Sequence, residues 1–390
     1  MPEMFGTHHS KMMILLRHDE TARIVIHTAN MIVRDWTNMT QAVWLSPRLP
    51  LMEPSQQSPS NEEAKIGSGA KFKVDFLNYL RAYDVRFPTC KPIIDKLVQY
   101  DFSAIKGSLI ASVPGRHKLH DNGSQTKWGW QAMAQALKAV PLAPTTQPTI
   151  AVQISSIATL GPTDAWLQNT FFRALAGGRR DNTTTTLQQY RPPSFKVIFP
   201  TADEIRRSLD GYASGGSIHT KIQSPQQAKQ LQYLTPLFCH WANDSAHGAE
   251  LSKDDETKGG GRDRAAPHIK TYIRYNKKPS SDATIDWAMV TSANLSKQAW
   301  GDAVNGAGEV RVSSYEIGVL VWPGLYAGGA VMKGAFQEDE PADVTEGKAT
   351  VALRVPYSLP LQAYGRGEVP WVATARHLEP DWMGQSWQHD

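Results

Sequence analysis

One unit of sequence occurs twice in this chain of 390 residues, and the repeat restricts the folds open to it. GTHHSKMMILL, from Gly6, sets His9 and Lys11 two apart ahead of an apolar run. RIVIHTANM then ends in Ala29-Asn30, and Trp36 follows Asn30 by six residues. PHIKTYIRY, Pro267 to Tyr275, sets His268 and Lys270 in the same way, a second apolar run ends in Ala293-Asn294, and Trp300 again follows by six. In an extended strand the side-chain period is two, so His268, Lys270 and Tyr272 share one face and Ile269, Thr271 and Ile273 the other. The run Trp287 to Val290 reads as a strand and SKQAW as helix, so Asn294 sits at a strand-to-helix handover. Eighteen residues separate Lys11 from Asn30 and 23 separate Lys270 from Asn294. The difference falls on a polar turn, where insertions collect. Two divergent copies of one unit predict a pseudo-twofold molecule with a composite site at its centre.

The residue types point to phosphoryl chemistry. A phosphodiester gathers charge on its non-bridging oxygens as it is attacked, and two ammoniums with two amide donors can be held ready for that charge. A neutral imidazole can attack phosphorus while a protonated one donates to the leaving oxygen, so no metal or other cofactor is required. A lone His-x-Lys means little. The chain carries a third, His219 and Lys221, with no Asn-Trp unit after it, which reads as non-catalytic. His8 and His27 have no counterpart in the second copy and read as structural.

The doubled His-x-Lys with a downstream Asn resembles the phospholipase D superfamily. Asn in place of the usual Asp narrows the resemblance to the tyrosyl-DNA phosphodiesterase family, in GTHHSKMM, HTANMI, PHIKTYIR, VTSANLSKQAWG and SYEIGVL, and more weakly in WLSP, SVPGR, SSIATLG, GGSI and VPYSLP. The resemblance implies an α/β fold of two phospholipase D-like halves, mixed sheets flanked by helices, related by a pseudo-twofold. It implies His9 as nucleophile, His268 as acid and then base, and Lys11, Lys270, Asn30 and Asn294 on the phosphoryl oxygens. Gln41 and Glu316 would orient the imidazoles, with the pairing left open. Phe5 would stack on a base, and Ser155, Ser156 and Lys297 would hold backbone phosphates. Trp371 and His219 would face the peptide, His219 standing where the best-known relatives carry Pro. The implied reaction is hydrolysis of the 3'-phosphotyrosyl bond between DNA and a topoisomerase I-derived peptide, in the nucleus, by a monomer. The alternatives are a catalytically weak DNA-binding paralogue and a phospholipase D-type enzyme acting on lipid head groups.

Composition sets outer bounds. With 41% hydrophobic and 20% charged residues the chain reads as globular, and a net charge of +4 fits a polyanion groove without requiring one. Two cysteines, Cys90 and Cys239, without metal-ligand spacing, suit a reducing compartment. No apolar run reaches the ~18 residues of a membrane span. Since family members carry strands and helices ahead of the first motif, His9 near the start implies an N-terminally truncated first half. The halves are drawn at 1–105 and 106–390. Helices are expected at Phe72–Tyr83, Ile93–Tyr100, Trp128–Val140, Ala202–Leu209 and Gln226–Trp241. Strands are expected at Gly107–Ser112, Ile150–Ile154, Phe195–Phe199, Val319–Trp322 and Ala352–Val355, with polar loops near 48–69 and at Thr183–Thr186.

Overall fold

The computed structural model describes residues 3, 5–53, 64–85, 88–120, 126–143, 147–178, 192–251, 257–337 and 349–388. The chain opens with a small antiparallel sheet in which β1 (Met12–Leu16) pairs with β2 (Thr21–His27). A short helix, α1 (Val33–Thr37), precedes β3 (Val43–Leu45) and β4 (Leu49–Pro50), which both pair with β2. Alternation along β2 turns Ala22, Ile24 and Ile26 inward, all fully buried. Helix α2 (Gly69–Arg81) is capped by the Ser68 hydroxyl, which accepts from the Lys71 amide at 3.2 Å. Its residues Phe72, Phe76, Leu77 and Leu80 stand at helical spacing and bury one face against β2, and α3 (Lys91–Leu97) adds Ile94 and Leu97. Each such side chain contributes about 1.5–3 kcal/mol on burial.

From β5 (Ser108–Ser112) onward the chain builds a nine-stranded mixed sheet. The following elements are β6 (Gly115–Lys118), α4 (Trp130–Leu137), β7 (Thr149–Gln153), a π-helical turn Leu167–Phe172 running into α5 (Arg173–Leu175), β8 (Ser194–Ile198), α6 (Ala202–Arg206), α7 (Pro225–Leu234) and β9 (Phe238–Cys239). Then come β10 (Thr271–Tyr275), β11 (Thr284–Thr291), α8 (Lys297–Trp300), β12 (Glu309–Val312), β13 (Glu316–Val321), β14 (Val331–Ala335) and β15 (Thr350–Arg354). The sheet runs β15-β14-β11-β10-β7-β8-β9, with β13 on β11 and β5 on β13, while β6 and β12 form a separate ribbon. Buried Val152, Val197, Tyr272, Trp287 and Trp300 are at the centre of the largest core.

The mixed α/β architecture is as expected, and the hairpins β1-β2 and β10-β11 are the two copies of the repeated unit. The helix expected over Gln226–Trp241 stops at Leu234. Pro236 follows in a 3-10 turn, and Phe238–Cys239 pairs with β8 instead. The loop at 48–69 lies partly, and Thr183–Thr186 wholly, outside the described residues.

Candidate active site

Neither His-x-Lys stretch belongs to a sheet ladder, because β1 begins at Met12 and β10 at Thr271, one residue past each lysine. Each arm is held by the other copy. The His9 amide donates to the Tyr315 carbonyl at 3.0 Å and the Tyr315 amide to the Thr7 carbonyl at 2.9 Å. The His268 amide donates to the Thr40 carbonyl at 3.1 Å and the Thr40 amide to the Ala266 carbonyl at 3.1 Å. The residue after each clamp carries the orienting side chain. Glu316 Oε2 lies 3.1 Å from His9 Nδ1, and the Gln41 amide lies 3.3 Å from His268 Nδ1, so the pairing left open by the sequence is crosswise.

The correspondence continues outward. Ser292 donates to Glu316 at 2.5 Å and Thr28 donates to Gln41 at 2.8 Å, each hydroxyl standing two residues before its asparagine. The indole N–H of Trp300 donates to the Asn294 carbonyl at 3.0 Å, and that of Trp36 to the Asn30 carbonyl at 2.8 Å, which is the physical reason for the six-residue spacing. Lys11 Nζ donates to the His9 carbonyl at 2.8 Å, and Lys270 Nζ to the His268 carbonyl. Asn294 is fixed by its Oδ1, which accepts from the amides of Ser155 at 3.0 Å and Ser156 at 2.9 Å and thereby leaves its N–H₂ free to donate elsewhere.

The copies differ in one carboxylate, and the sequence reading missed it. Gln41 is neutral where Glu316 is charged, yet Asp35 Oδ2 lies 3.2 Å from His268 Nδ1 and accepts from the Asn30 amide at 2.6 Å. Asp35 is fully buried. Five residues beyond Asn294 stands Ala299, so the repeat has no second copy of this group. The available signal was that Asp35 is the one carboxylate between Asn30 and Gln41. Each imidazole therefore has a carboxylate on Nδ1, which fixes the Nδ1–H tautomer and turns Nε2 to the site.

Charge inside the site is strongly coupled. Burial, and then the neighbouring Lys11, hold the Lys270 ammonium well below its ordinary pKa. Burial also lowers Lys11, against the pull of Glu316 and Asp35. Burial and Lys270 push His268 toward the neutral form, and Asp35 opposes them. For Asp35 itself burial is the largest influence and favours the acid, but His268, the Asn30 amide and Lys270 together outweigh it and lower its pKa. A site with two crowded cations is made for an anion.

The remaining predicted residues fall into three groups. Ser155 and Ser156 abut Asn294, and Lys297 is the first residue of α8 with Nζ 6.0 Å from the Trp166 ring centre, so all three adjoin the site. Phe5 is 78% exposed, just ahead of Gly6, which packs against Ser313. His219 is exposed on a segment bridged to Ser156, whose amide donates to Asn294, which puts it at the rim. Trp371 is a correction. It is 0% exposed, and its N–H donates to the carbonyls of Gly215 at 3.2 Å and Ile218 at 2.9 Å. It cannot touch a peptide, and it braces the turn that presents His219. His8 packs at a tilt against Tyr83 and Tyr315, which stack on each other, and buried His27 packs at a tilt against Trp36.

Comparison with known proteins gives concordant matches. The family model described as Tyrosyl-DNA phosphodiesterase matches residues 1–365. A probable tyrosyl-DNA phosphodiesterase of Schizosaccharomyces pombe is 28% identical over 98% of this chain and 78% of its own length. Tyrosyl-DNA phosphodiesterase 1 of Drosophila melanogaster is 32% identical over 95% of this chain, which spans 58% of that relative. Among solved structures, the yeast tyrosyl-DNA phosphodiesterase superposes with a TM-score of 0.63 at 21% identity, covering 95% of this chain and 78% of that one.

Proposed function

Because the chain belongs to the tyrosyl-DNA phosphodiesterase family, we propose that it hydrolyses the phosphodiester joining a DNA 3' end to the tyrosine of a topoisomerase I-derived peptide. The observation that carries this reading is the crosswise pair of imidazoles, each held at Nδ1 by a buried carboxylate, beside two ammoniums. His9 Nε2 attacks phosphorus and the P–O bond to tyrosine breaks, while protonated His268 gives its Nε2 proton to the departing phenolate oxygen. The DNA 3' phosphoryl group is then bonded to His9. Neutral His268 takes a proton from water, the water oxygen attacks phosphorus, and the P–N bond breaks to leave a 3' phosphate and restored His9. Lys11, Lys270 and the amides of Asn30 and Asn294 carry the charge that builds on the non-bridging oxygens.

An arriving phosphodiester anion offsets the crowding of Lys11 and Lys270, which raises the proton affinity of His268 when an acid is needed. Glu316, Gln41 and Asp35 act through the imidazoles as positioning residues. Ser155, Ser156 and Lys297 are assigned to backbone phosphates, Phe5 to a base and His219 to the leaving-group side. The halves are assigned as 1–105 and 106–390, since β5 at Ser108 is the first strand of the large sheet. One chain supplies both histidines, which fits a monomer, and a DNA substrate fits a nuclear location.

The test is incubation with a single-stranded oligonucleotide bearing 3'-phosphotyrosine, in excess EDTA. Release of a 3'-phosphate oligonucleotide is expected. Cleavage of phosphatidylcholine instead, binding without turnover, or loss of turnover on chelation would each refute the proposal.

A further inference from the structure

The two His-x-Lys arms differ in the residue between histidine and lysine, and the reaction above gives that residue no task. In the second arm it is Ile269, which is buried, and the amides of His268 and Ile269 both donate to the Thr40 carbonyl, at 3.1 and 2.9 Å. In the first arm it is Ser10, and among the described residues only the His9 amide donates to the facing Tyr315 carbonyl. The Ser10 hydroxyl is hydrogen-bonded instead to that of Tyr79, which lies 2.8 Å from the Tyr83 hydroxyl. The arm that carries the nucleophile thus has one main-chain bond fewer and one side-chain bond more.

Helix α2 places Tyr79 for this contact. Phe72, Phe76, Tyr79 and Tyr83 follow one another at intervals of four, three and four residues, so they line one face of the helix and of the 3-10 turn Ala82–Val85 that continues it. The stripe begins apolar and ends in two hydroxyls where it reaches the arm. Tyr79 is 0% exposed. A buried phenol hydroxyl usually keeps a partner, and among the described residues Ser10 and Tyr83 are the partners it has. The same two rings hold the other side of the clamp. Tyr83 stacks on Tyr315 with ring centres 4.4 Å apart, Tyr79 meets Tyr315 edge-on at 6.3 Å, and the Tyr315 hydroxyl donates to the Ala82 carbonyl at 3.0 Å. Tyr315 immediately precedes Glu316, whose Oε2 lies 3.1 Å from His9 Nδ1. The end of α2 therefore fixes the arm through Ser10 and the carboxylate strand through Tyr315, and with them the distance between His9 and Glu316.

We propose that Tyr79 is a positioning residue for the nucleophile, its hydroxyl acting through Ser10 to hold the His9 imidazole on the line of attack. The proposal rests on the reading that His9 attacks phosphorus. Tyr79 touches neither the substrate nor the reacting atoms. Its effect is confined to the first half of the reaction, because a small misplacement matters while the imidazole is free to turn and ceases to matter once the P–N bond holds it. Ser10 and Tyr79 act as one unit, so removal of either hydroxyl gives the whole loss.

The experiment takes Tyr79→Phe, Ser10→Ala and the double variant, each in the full chain and in a His268→Asn background, where formation and decay of the covalent protein–DNA species are followed on one denaturing gel. With a 3'-phosphotyrosyl oligonucleotide, each single variant should form that species about 3- to 10-fold more slowly, the scale of one hydrogen bond, with KM unchanged. The double variant should be no slower than either single one, and decay of the species should keep the parent rate. Ser10→Ala retains every ring of the α2 core, so the test stands even where Tyr79→Phe lowers the Tm. Equal slowing of formation and decay would make the hydroxyls mere supports of the fold. Losses that add in the double variant would separate Ser10 from Tyr79, and unchanged formation would show that the arm needs neither. Each of these results overturns the proposal. Failure of the parent chain to cleave the substrate, or undiminished cleavage by His9→Ala, would instead refute the function proposed above.

Discussion

Asp35→Asn is the sharpest probe of the leaving-group step. The substitution keeps the shape of the side chain and an oxygen for the Asn30 amide, and it removes the charge 3.2 Å from His268 Nδ1. A hydrogen bond to a charged partner contributes about 1.5–3 kcal/mol net, and here it favours the imidazolium needed to protonate tyrosine. Each ~1.4 kcal/mol is a factor of ten in rate, so turnover of a 3'-phosphotyrosyl oligonucleotide should fall about 10- to 150-fold. The basic limb of its pH–rate profile should move to lower pH, because burial and Lys270 then act on His268 without opposition from Asp35. A 3'-p-nitrophenyl phosphodiester, whose phenolate departs without a proton, should be spared. Single-turnover kinetics on both substrates, with a melting curve to confirm the fold, decide the matter. Equal loss on both substrates, or an unmoved pH profile, would mean that Asp35 is only a structural cap on the Asn30 turn.

Further expectations follow from the same geometry. His268→Asn should leave attack by His9 intact and slow its reversal, so a covalent protein–DNA species should build up on a denaturing gel, whereas His9→Ala should give none. Lys270 is wholly buried, and replacing a buried charge with an apolar chain of like length is often neutral or stabilising. Lys270→Met should therefore cost at least about a hundredfold in kcat while Tm holds or rises, and a fall of several degrees in calorimetry would contradict that. Away from the site, buried His240 lies between Glu204 at 3.1 Å and Glu368 at 2.9 Å. Burial alone would lower its pKa, but the neighbouring carboxylates of Glu204, then Glu368, raise it above 6.5. Its contribution to stability is thus full below that value and lost as pH rises through the folded pKa. The Tm gap between parent and His240→Gln should be wider near about pH 6 than near about pH 9, and a gap that widens with pH would reverse the assignment.

What the sequence could and could not show divides along a physical line. His9, Lys11, Asn30 and their second copy were legible because each unit is local and its spacing repeats, although each His-x-Lys arm lies just ahead of its hairpin. That Glu316 serves His9 and Gln41 serves His268 was not, since it depends on which of two distant segments clamps which arm. Asp35 was hidden by the repeat itself, because the matching position holds Ala299. A tryptophan in a motif can be recognised from sequence alone, but whether it lines a wall or braces one from behind is a matter of packing, as Trp371 shows. The ribbon β6-β12 and the strand β14 escaped because they are only four or five residues long. The helix drawn to Trp241 overran Pro236, where pairing with β8 wins over helical composition.

The exchange of clamps between the two copies has a consequence for failure. Neither hairpin owns a working histidine, because the contacts that aim His9 come from the far end of the chain and those that aim His268 from its beginning. A molecule whose sheets have drifted apart loses the group that starts the reaction together with the group that finishes it. Damage that loosens the protein before it meets DNA would give an inert chain, not one able to attach itself to a strand end with no means of letting go.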